Sequence, residues 1–427
     1  MPAYPIRTIT PEEFDALGEV PSHAFLESWP QEALERERSV VEYDRTIAAL
    51  DGDRMVGSAS AYSFRLTVPG GTVNAAGVTM VSVLPTHRRR GILTGLMDHL
   101  IADAQRRAEP VAILYASESA IYGRFGFGMA SMHQRLTIRR GEGVLAPGAA
   151  ARAASARKLR LRIAEPVQVR AELAKVFDAA MAARPGTLAR DERWWDYILW
   201  DVAAMRPPGM SELRCVLAED DAGPRGYALY RTRMEFGDDG IAAGAILVRE
   251  LVSGDPVATA ALWTDLLNRD LVEEVVARMR PIDDPLLAML ADRRRARPAP
   301  MEGLWVRLVD VPAALSQRRY AAAADIVLEV IDPVLAANAG RWRLRTPGHG
   351  AAGTAGHGAA GTAGCERTDQ PADVRLTVQA LGAAYLGGAS FGQLADAGHA
   401  EELTPGSQAA LAAAMSSDRA PYCGMMF

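Results

Sequence analysis

VSVLPTHRRRGILTGLM, residues 81–97, joins an apolar strand-like run to a helix-like run through a proline, three arginines and a glycine. The helix reading rests on Ile92, Leu93, Leu96, Met97, Leu100, Ile101 and Ala104, whose spacing lays one apolar stripe along 92–107. A helix N-terminus leaves backbone N–H groups unpaired and carries partial positive charge. Glycine lets a ligand approach the backbone, and arginines add charged donors. Strand, cationic turn and helix together make a candidate site for a diphosphate. A solvated basic turn that merely caps a helix is the plain alternative, because the spacing matches neither GxxxxGK[ST] nor GxGxxG.

Working outward, residues 43–50 and 54–68 read as strands joined by Asp51-Gly52-Asp53, a hairpin signal. Pro69-Gly70-Gly71 makes a second turn, 77–84 a further strand, and 111–116 a short buried strand after the helix. Meander, crossover helix and parallel strand give an α/β unit. A small-residue stretch at 141–157 reads as a linker. Beyond it, 166–182 reads as a helix, 213–219, 226–236 and 245–252 as strands, and 256–268 as a helix. This order repeats the first unit without its arginine–glycine turn, as a duplicated fold without the phosphate site. Trp194, Trp195, Tyr197 and Trp200 form an aromatic cluster, of which Trp194 and Trp195 are expected in its core. A third unit is read from about residue 300, with strands at 303–310, 325–331 and 341–345 and a short helix at 311–319. The expected domains are 1–140, 158–297 and 298–427. Within the last, the repeated GHGAAGTA of 347–364 reads as a mobile loop. His349 and His357 in it have no other ligand type beside them, so no metal site is read there.

The chain has 427 residues, 49% hydrophobic and 23% charged, which suits a globular protein of several domains. A net charge of −5 argues against a nucleic-acid partner. No apolar run is long enough to span a membrane. The N-terminus lacks a Sec-type signal, and Cys215, Cys365 and Cys423 suit a reducing compartment, so the expectation is cytoplasmic, with non-classical export left open.

The arginine–glycine turn resembles the coenzyme A site of the GCN5-related N-acetyltransferases, with Leu93 standing where that family has a small residue. With ASESAIYGRFGFG at 116–128 and the terminal APYCGMMF at 420–427, nearly the whole chain resembles the enhanced intracellular survival (Eis) family. The resemblance implies two tandem acetyltransferase-like α/β domains, the central one degenerate, and a sterol-carrier-like α+β domain. It implies acetyl-CoA-dependent N-acetylation of primary amines, including aminoglycosides and lysine side chains, without a metal, in a homo-oligomer, namely a hexamer. Polyamines are a further amine class to test. By motif, the main chain of Val81, Ser82 and Val83 would bind the pantetheine arm. Arg89, Arg90, Gly91, Ile92, Leu93 and Thr94 would cradle the diphosphate. Ser117 and Glu118 would flank the pantetheine. Tyr122 would donate a proton to the departing thiolate, and the Phe427 carboxylate would accept one from the amine. Phe25 and Glu27 would line the amine pocket.

Each assignment has a plainer counterpart. Tyr122 can be a packing residue and Phe25 and Glu27 a solvated helix face. Phe427 can end a segment packed on the core, although an apolar terminus argues by itself for a tucked-in chain end. At the level of function, one alternative is a lipid or sterol carrier with inert acetyltransferase-like domains. Another is transfer of aminoacyl groups from transfer RNA, against which the mild acidity speaks.

Overall fold

A computed structural model describes residues 4–155, 159–182, 184–347 and 363–427. It divides into two compact units. The first is built from the described residues of Met1–Ser131, Ala183–Ala189 and Glu302–Phe427, the second from Met132–Ala182 and Arg190–Met301.

In the first unit, β1 (Ile6–Thr8), β2 (Ile47–Asp51), β3 (Arg54–Val68), β4 (Gly71–Val83), β5 (Val111–Tyr115) and β6 (Gly128–Met129) share a seven-stranded sheet. Its helices are α1 (Phe14–Phe25), α2 (Gln31–Arg38), α3 (Ile92–Arg106) and α4 (Ser119–Tyr122). Both expected turns form, with Gly52 at φ +61° and Gly70 at φ +72°, the backbone geometry that makes glycine the favoured residue. β4 and β5 pair in parallel, so the chain needs a crossover, and α3 supplies it. The buried face of α3 holds Ile92, Leu96, Met97, Leu100, Ile101 and Ala104, as its spacing predicts. Gly57 on β3 seats the helix: a Cβ there would lie 2.8 Å from Ile92 Cγ2.

Three expectations need correction. The strand expected from residue 43 begins at Ile47, after a 3₁₀ turn at Tyr43–Arg45. That turn carries Arg45 inside, where its guanidinium pairs bidentately with Glu109 (2.7 and 2.7 Å) and with Asp103 (3.1 Å). A buried cation needs such partners, and an extended strand would not bring them together. Second, the 141–157 stretch contains a helix, Pro147–Ala154. Alanine favours helix, proline suits its first turn, and Ala149 packs with Ala260 and Met289. Third, the strand read at 303–310 spans Leu304–Leu308 and lies in the first sheet, between β5 and β6 and antiparallel to both. Every residue of it is buried, as an interior strand requires.

The C-terminal part of the first unit has its own five-stranded sheet, ordered Gly364–Arg367, Gly340–Pro347, Ala323–Ile331, Val374–Thr377 and Ala400–Glu402. Helices Val378–Ala384 and Ser407–Met415 belong to the same part. Most of the GHGAAGTA repeat, with His349 and His357, lies outside the described residues.

The second unit holds a seven-stranded sheet in which Gly244–Ser253 pairs in parallel with Val272–Pro281, and Met132–Arg139 pairs antiparallel with the latter. Helix Pro256–Leu267 is its crossover, the counterpart of α3. Here the Asp255 carboxylate accepts the N–H groups of Val257 (2.7 Å) and Ala258 (3.3 Å). An anion therefore already occupies the helix N-terminus and would repel a phosphate. Asp255→Ala is expected to lower stability by about 1 kcal/mol, and the melting temperature by about 2–4 °C, without touching acetyl transfer. Scanning calorimetry checks this. Trp194 and Trp195 are buried as expected, with Phe177 against Trp195 at 5.7 Å; Tyr197 is buried beside them and Trp200 is half-buried.

Candidate active site

The sheet opens where the motif begins. β4 and β5 are paired only over Ala75–Gly77 and Val111–Ile113, and β4 then runs on alone on that side to Val83. A bulge sits in the unpaired part: Met80 has φ +52°, and the β3–β4 register shifts between Ser58 and Ser60. The Ser58 hydroxyl pins the bulge by donating to the Met80 carbonyl (2.8 Å), and it meets the Ser82 hydroxyl at 2.7 Å. Val81 and Val83 are half-buried against the core under α3. The edge of β4 that faces β5 beyond Gly77 thus has no strand partner among the described residues. It offers main-chain donors and acceptors to an extended ligand.

The arginine turn follows directly. Arg89 has φ +62° and Gly91 φ +84°, and α3 starts at Ile92 with no side chain capping its first N–H groups. Open space lies over Gly91, so glycine is required there for its backbone angle rather than for room. Arg88, Arg89, Arg90 and Thr94 are exposed, and Ile92 is buried as the first anchor of the helix. Arg90 donates to the Tyr4 hydroxyl (2.9 Å). Leu93 is half-buried, packed against the same core cluster as Ile92. The contrast with the Asp255-capped helix is direct: one N-terminus is left to an outside anion and the other is filled from within. Uncapped amides, exposed guanidinium groups and an open strand edge fit a ligand that carries a diphosphate on an extended arm.

Past β5 the chain turns at Ser117 and Glu118, both exposed, into α4. Tyr122 ends that short helix and is only 5% exposed. Its ring meets Phe127 edge-on at 6.3 Å, within a core cluster that includes Phe125 and Trp305. Burial pushes its phenol above the ordinary value, a hydrogen bond with Ser117 opposes this, and the Glu118 carboxylate adds to it.

The C-terminus reaches the same opening. The Phe427 ring lies 4.8 Å from that of Phe64 and 5.8 Å from that of Tyr115, both edge-on. Gly77 makes the room: a Cβ there would be 2.4 Å from the Phe64 ring and 3.2 Å from the Phe427 ring. Gly77 is the last residue of β4 paired with β5, and Tyr115 the last residue of β5. The chain end is held upstream as well. The Tyr115 hydroxyl donates to the Cys423 carbonyl (2.7 Å), Tyr422 N–H to the Pro185 carbonyl (2.8 Å), and Arg184 to the Ala420 carbonyl (2.9 Å).

Phe25 and Glu27 are exposed at the end of α1, on either side of Leu26 at φ +58°. Among the described residues no hydrogen bond or ring contact ties either to Tyr122 or Phe427. Sequence reading passed over Phe64, Gly77 and Tyr115, which seat the chain end. A long β-run with one glycine facing a phenylalanine gives no local sign of a distant terminus.

Residues 5–130 match an acetyltransferase (GNAT) domain family, 186–308 a second acetyltransferase (GNAT) domain family, and 311–424 a sterol carrier protein domain. An uncharacterized N-acetyltransferase of Streptomyces coelicolor is 39% identical, covering 97% of this chain and 98% of that one. N-acetyltransferase Eis of Mycobacterium tuberculosis is 34% identical over 82% of this chain and 81% of its own. The crystal structure of Eis1 from Mycobacterium abscessus aligns with a TM-score of 0.79 at 32% identity, covering 99% of this chain and 100% of that one. With an uncapped helix beside an open strand edge, and relatives alike over most of their length, this chain belongs to the Eis family of N-acetyltransferases within the GCN5-related superfamily.

Proposed function

We propose that the first unit transfers the acetyl group of acetyl-CoA to a primary amine by direct attack in a ternary complex, with Tyr122 and the Phe427 carboxylate handling the two protons. The observation that carries this reading is the position of the chain end. Phe427 packs on Gly77 and Tyr115, where β4 and β5 part, and Tyr122 hangs from the turn that follows β5.

The roles follow from the chemistry. The unpaired edge at Val81, Ser82 and Val83 binds the pantetheine arm as an added strand would. Arg89, Arg90 and the amides of Gly91, Ile92, Leu93 and Thr94 take the diphosphate, while Ser117 and Glu118 flank the arm. A lysine-like amine, with a pKa of about 10.4, costs roughly 4–5 kcal/mol to deprotonate at pH 7. The Phe427 carboxylate holds the ammonium and takes up its proton, directly or through water, and the neutral nitrogen then attacks the thioester carbon. Main-chain N–H groups along β4 polarise the thioester carbonyl. When the C–S bond breaks, Tyr122 meets the departing sulfur with an O–H that burial keeps protonated. An ammonium and a thioester become an amide, a thiol and one released proton. Phe25 and Glu27, an aromatic face and a carboxylate on the exposed end of α1, suit a cationic acceptor.

The acceptor is a small-molecule or lysine-like amine. Aminoglycosides, polyamines and lysine peptides, assayed by thiol release from acetyl-CoA, test the reading. A lipid carrier with inert acetyltransferase domains would release no thiol with any of them and would retain lipid through purification. Arg89→Ala is expected to raise the KM for acetyl-CoA about tenfold or more, as loss of a charge-assisted hydrogen bond predicts, with little change in kcat. An unchanged KM would remove the arginine turn from the site.

A further inference from the structure

IYGRFGFG, 121–128, holds three glycines, and at each one another part of the chain presses on the backbone. A Cβ on Gly123 would lie 3.0 Å from the Gln379 side-chain nitrogen. On Gly126 it would lie 1.8 Å from Arg307 Nη1 and 2.9 Å from Val378 Cγ1. On Gly128 it would lie 2.0 Å from the Gln379 carbonyl oxygen and 2.6 Å from the Ala383 nitrogen. The opposing face is built the same way, since a Cβ on Gly382 would come within 2.2 Å of the Val306 carbonyl oxygen. Gly126 has φ +83°, but Gly123 is right-handed at φ −56°, so a side chain there meets no backbone penalty and would only have to displace the end of the Gln379 side chain.

Arg307 is the charged member of this contact. It is fully buried on Leu304–Leu308, and its Nη2 donates to both oxygens of Asp332 (3.0 and 2.7 Å). Asp332 is fixed in turn by N–H groups of Val334 and Leu335 (both 3.0 Å) and by the Asn338 amide (3.1 Å). Nε and Nη1 of Arg307 have no hydrogen-bond partner among the described residues, and Nη1 is the atom laid against Gly126. Leaving buried donors without a protein partner is costly, and an apolar side chain would fill the space without that cost. What the cation adds is a guanidinium held in place by Asp332 and packed against the turn at Gly126.

We propose that Arg307 and Gln379 are positioning residues, which clamp the 123–128 turn and so fix the direction of the Tyr122 hydroxyl. The proposal rests on the reading of Tyr122 as proton donor. Tyr122 immediately precedes Gly123, and a misplacement of about 1 Å at a reacting group costs on the order of a hundredfold in rate. The C-terminal part of the first unit then serves both ends of the proton path. It braces the donor's turn and it carries the acceptor carboxylate.

The test is a cycle on kcat. Gln379→Ala is expected to lower kcat about tenfold or more, with the KM for acetyl-CoA and the melting temperature unchanged. Gly123→Ala, whose methyl meets only the end of that side chain, should lower kcat as well. In the double variant the methyl enters vacated space and part of the rate returns. Repeating Gln379→Ala in a Tyr122→Phe background decides the matter. Acting through Tyr122 predicts no further loss of the residual rate, and an equal fold-loss in both backgrounds overturns the proposal. Full turnover of Tyr122→Phe alone removes the donor reading instead, and the clamp with it. Arg307→Met probes the same contact from the strand side. Should it fail to fold, the Gln379 series stands alone.

Discussion

Deleting Phe427 alone is expected to lower acetyl transfer by about 10²–10⁴-fold while coenzyme A still binds. The deletion does two things at once. It takes the ring away from Phe64, Tyr115 and Gly77, and it draws the carboxylate back by one residue, about 3.8 Å along the chain. An acceptor that far from the amine no longer lies within hydrogen-bond reach. Two companions separate the parts. Phe427→Ala keeps the chain length and loses the ring that aims the carboxylate. A single glycine added after Phe427 keeps the ring and moves the carboxylate. Both are expected to be slow. Thermal melting with and without coenzyme A should give the parent's shift in all three, because the arginine turn and the β4 edge are untouched. Parent-like thiol release by the deletion would exclude the carboxylate as proton acceptor. Slow turnover in Phe427→Ala with full turnover in the extended chain would assign the effect to packing alone.

What sequence could say about this site depended on how local each signal was. The 81–97 stretch was readable because strand, turn and helix are consecutive, and the apolar stripe of α3 lands on its buried face. The turns at Gly52 and Gly70 were readable for the same reason. Strand partners were not. Alternation along Met132–Arg139 or the apolar run at Leu304–Leu308 marks a strand, but says nothing about which strand lies alongside. One pairs with Val272–Pro281 and the other with β5 and β6, each far away in sequence. The Pro147–Ala154 helix was hidden because small residues serve linkers and helices alike. The glycines of 123–128 drew attention as a motif, yet their reason lies in Arg307, Val378, Gln379 and Ala383. Arg45 lay within the strand expected at 43–50, and nothing local pointed to Asp103 and Glu109, which make its burial tolerable.

Tyr122→Phe tests the other end of the proton path, and its pH profile says more than its rate. The expected loss in kcat is about 10²–10⁴-fold, the range of a general acid. The required form of the phenol is the protonated one. Burial raises its pKa first of all, Ser117 pulls it down, and the Glu118 carboxylate raises it further. Activity limited by this group is therefore full at neutral pH and falls only above the ordinary tyrosine value of about 10. A lysine-like acceptor titrates in the same range and would mask that fall. An acceptor with a pKa near that of a peptide α-amine, about 8, places the acid limb well below the alkaline one. With such an amine the parent should lose kcat at high pH and Tyr122→Phe should not. Glu118→Gln removes the carboxylate that helps raise the phenol, so its alkaline limb should begin at lower pH. An alkaline limb that persists in Tyr122→Phe would belong to another group. Tyr122 would then be left to its packing against Phe127, and the departing sulfur would need a different proton source.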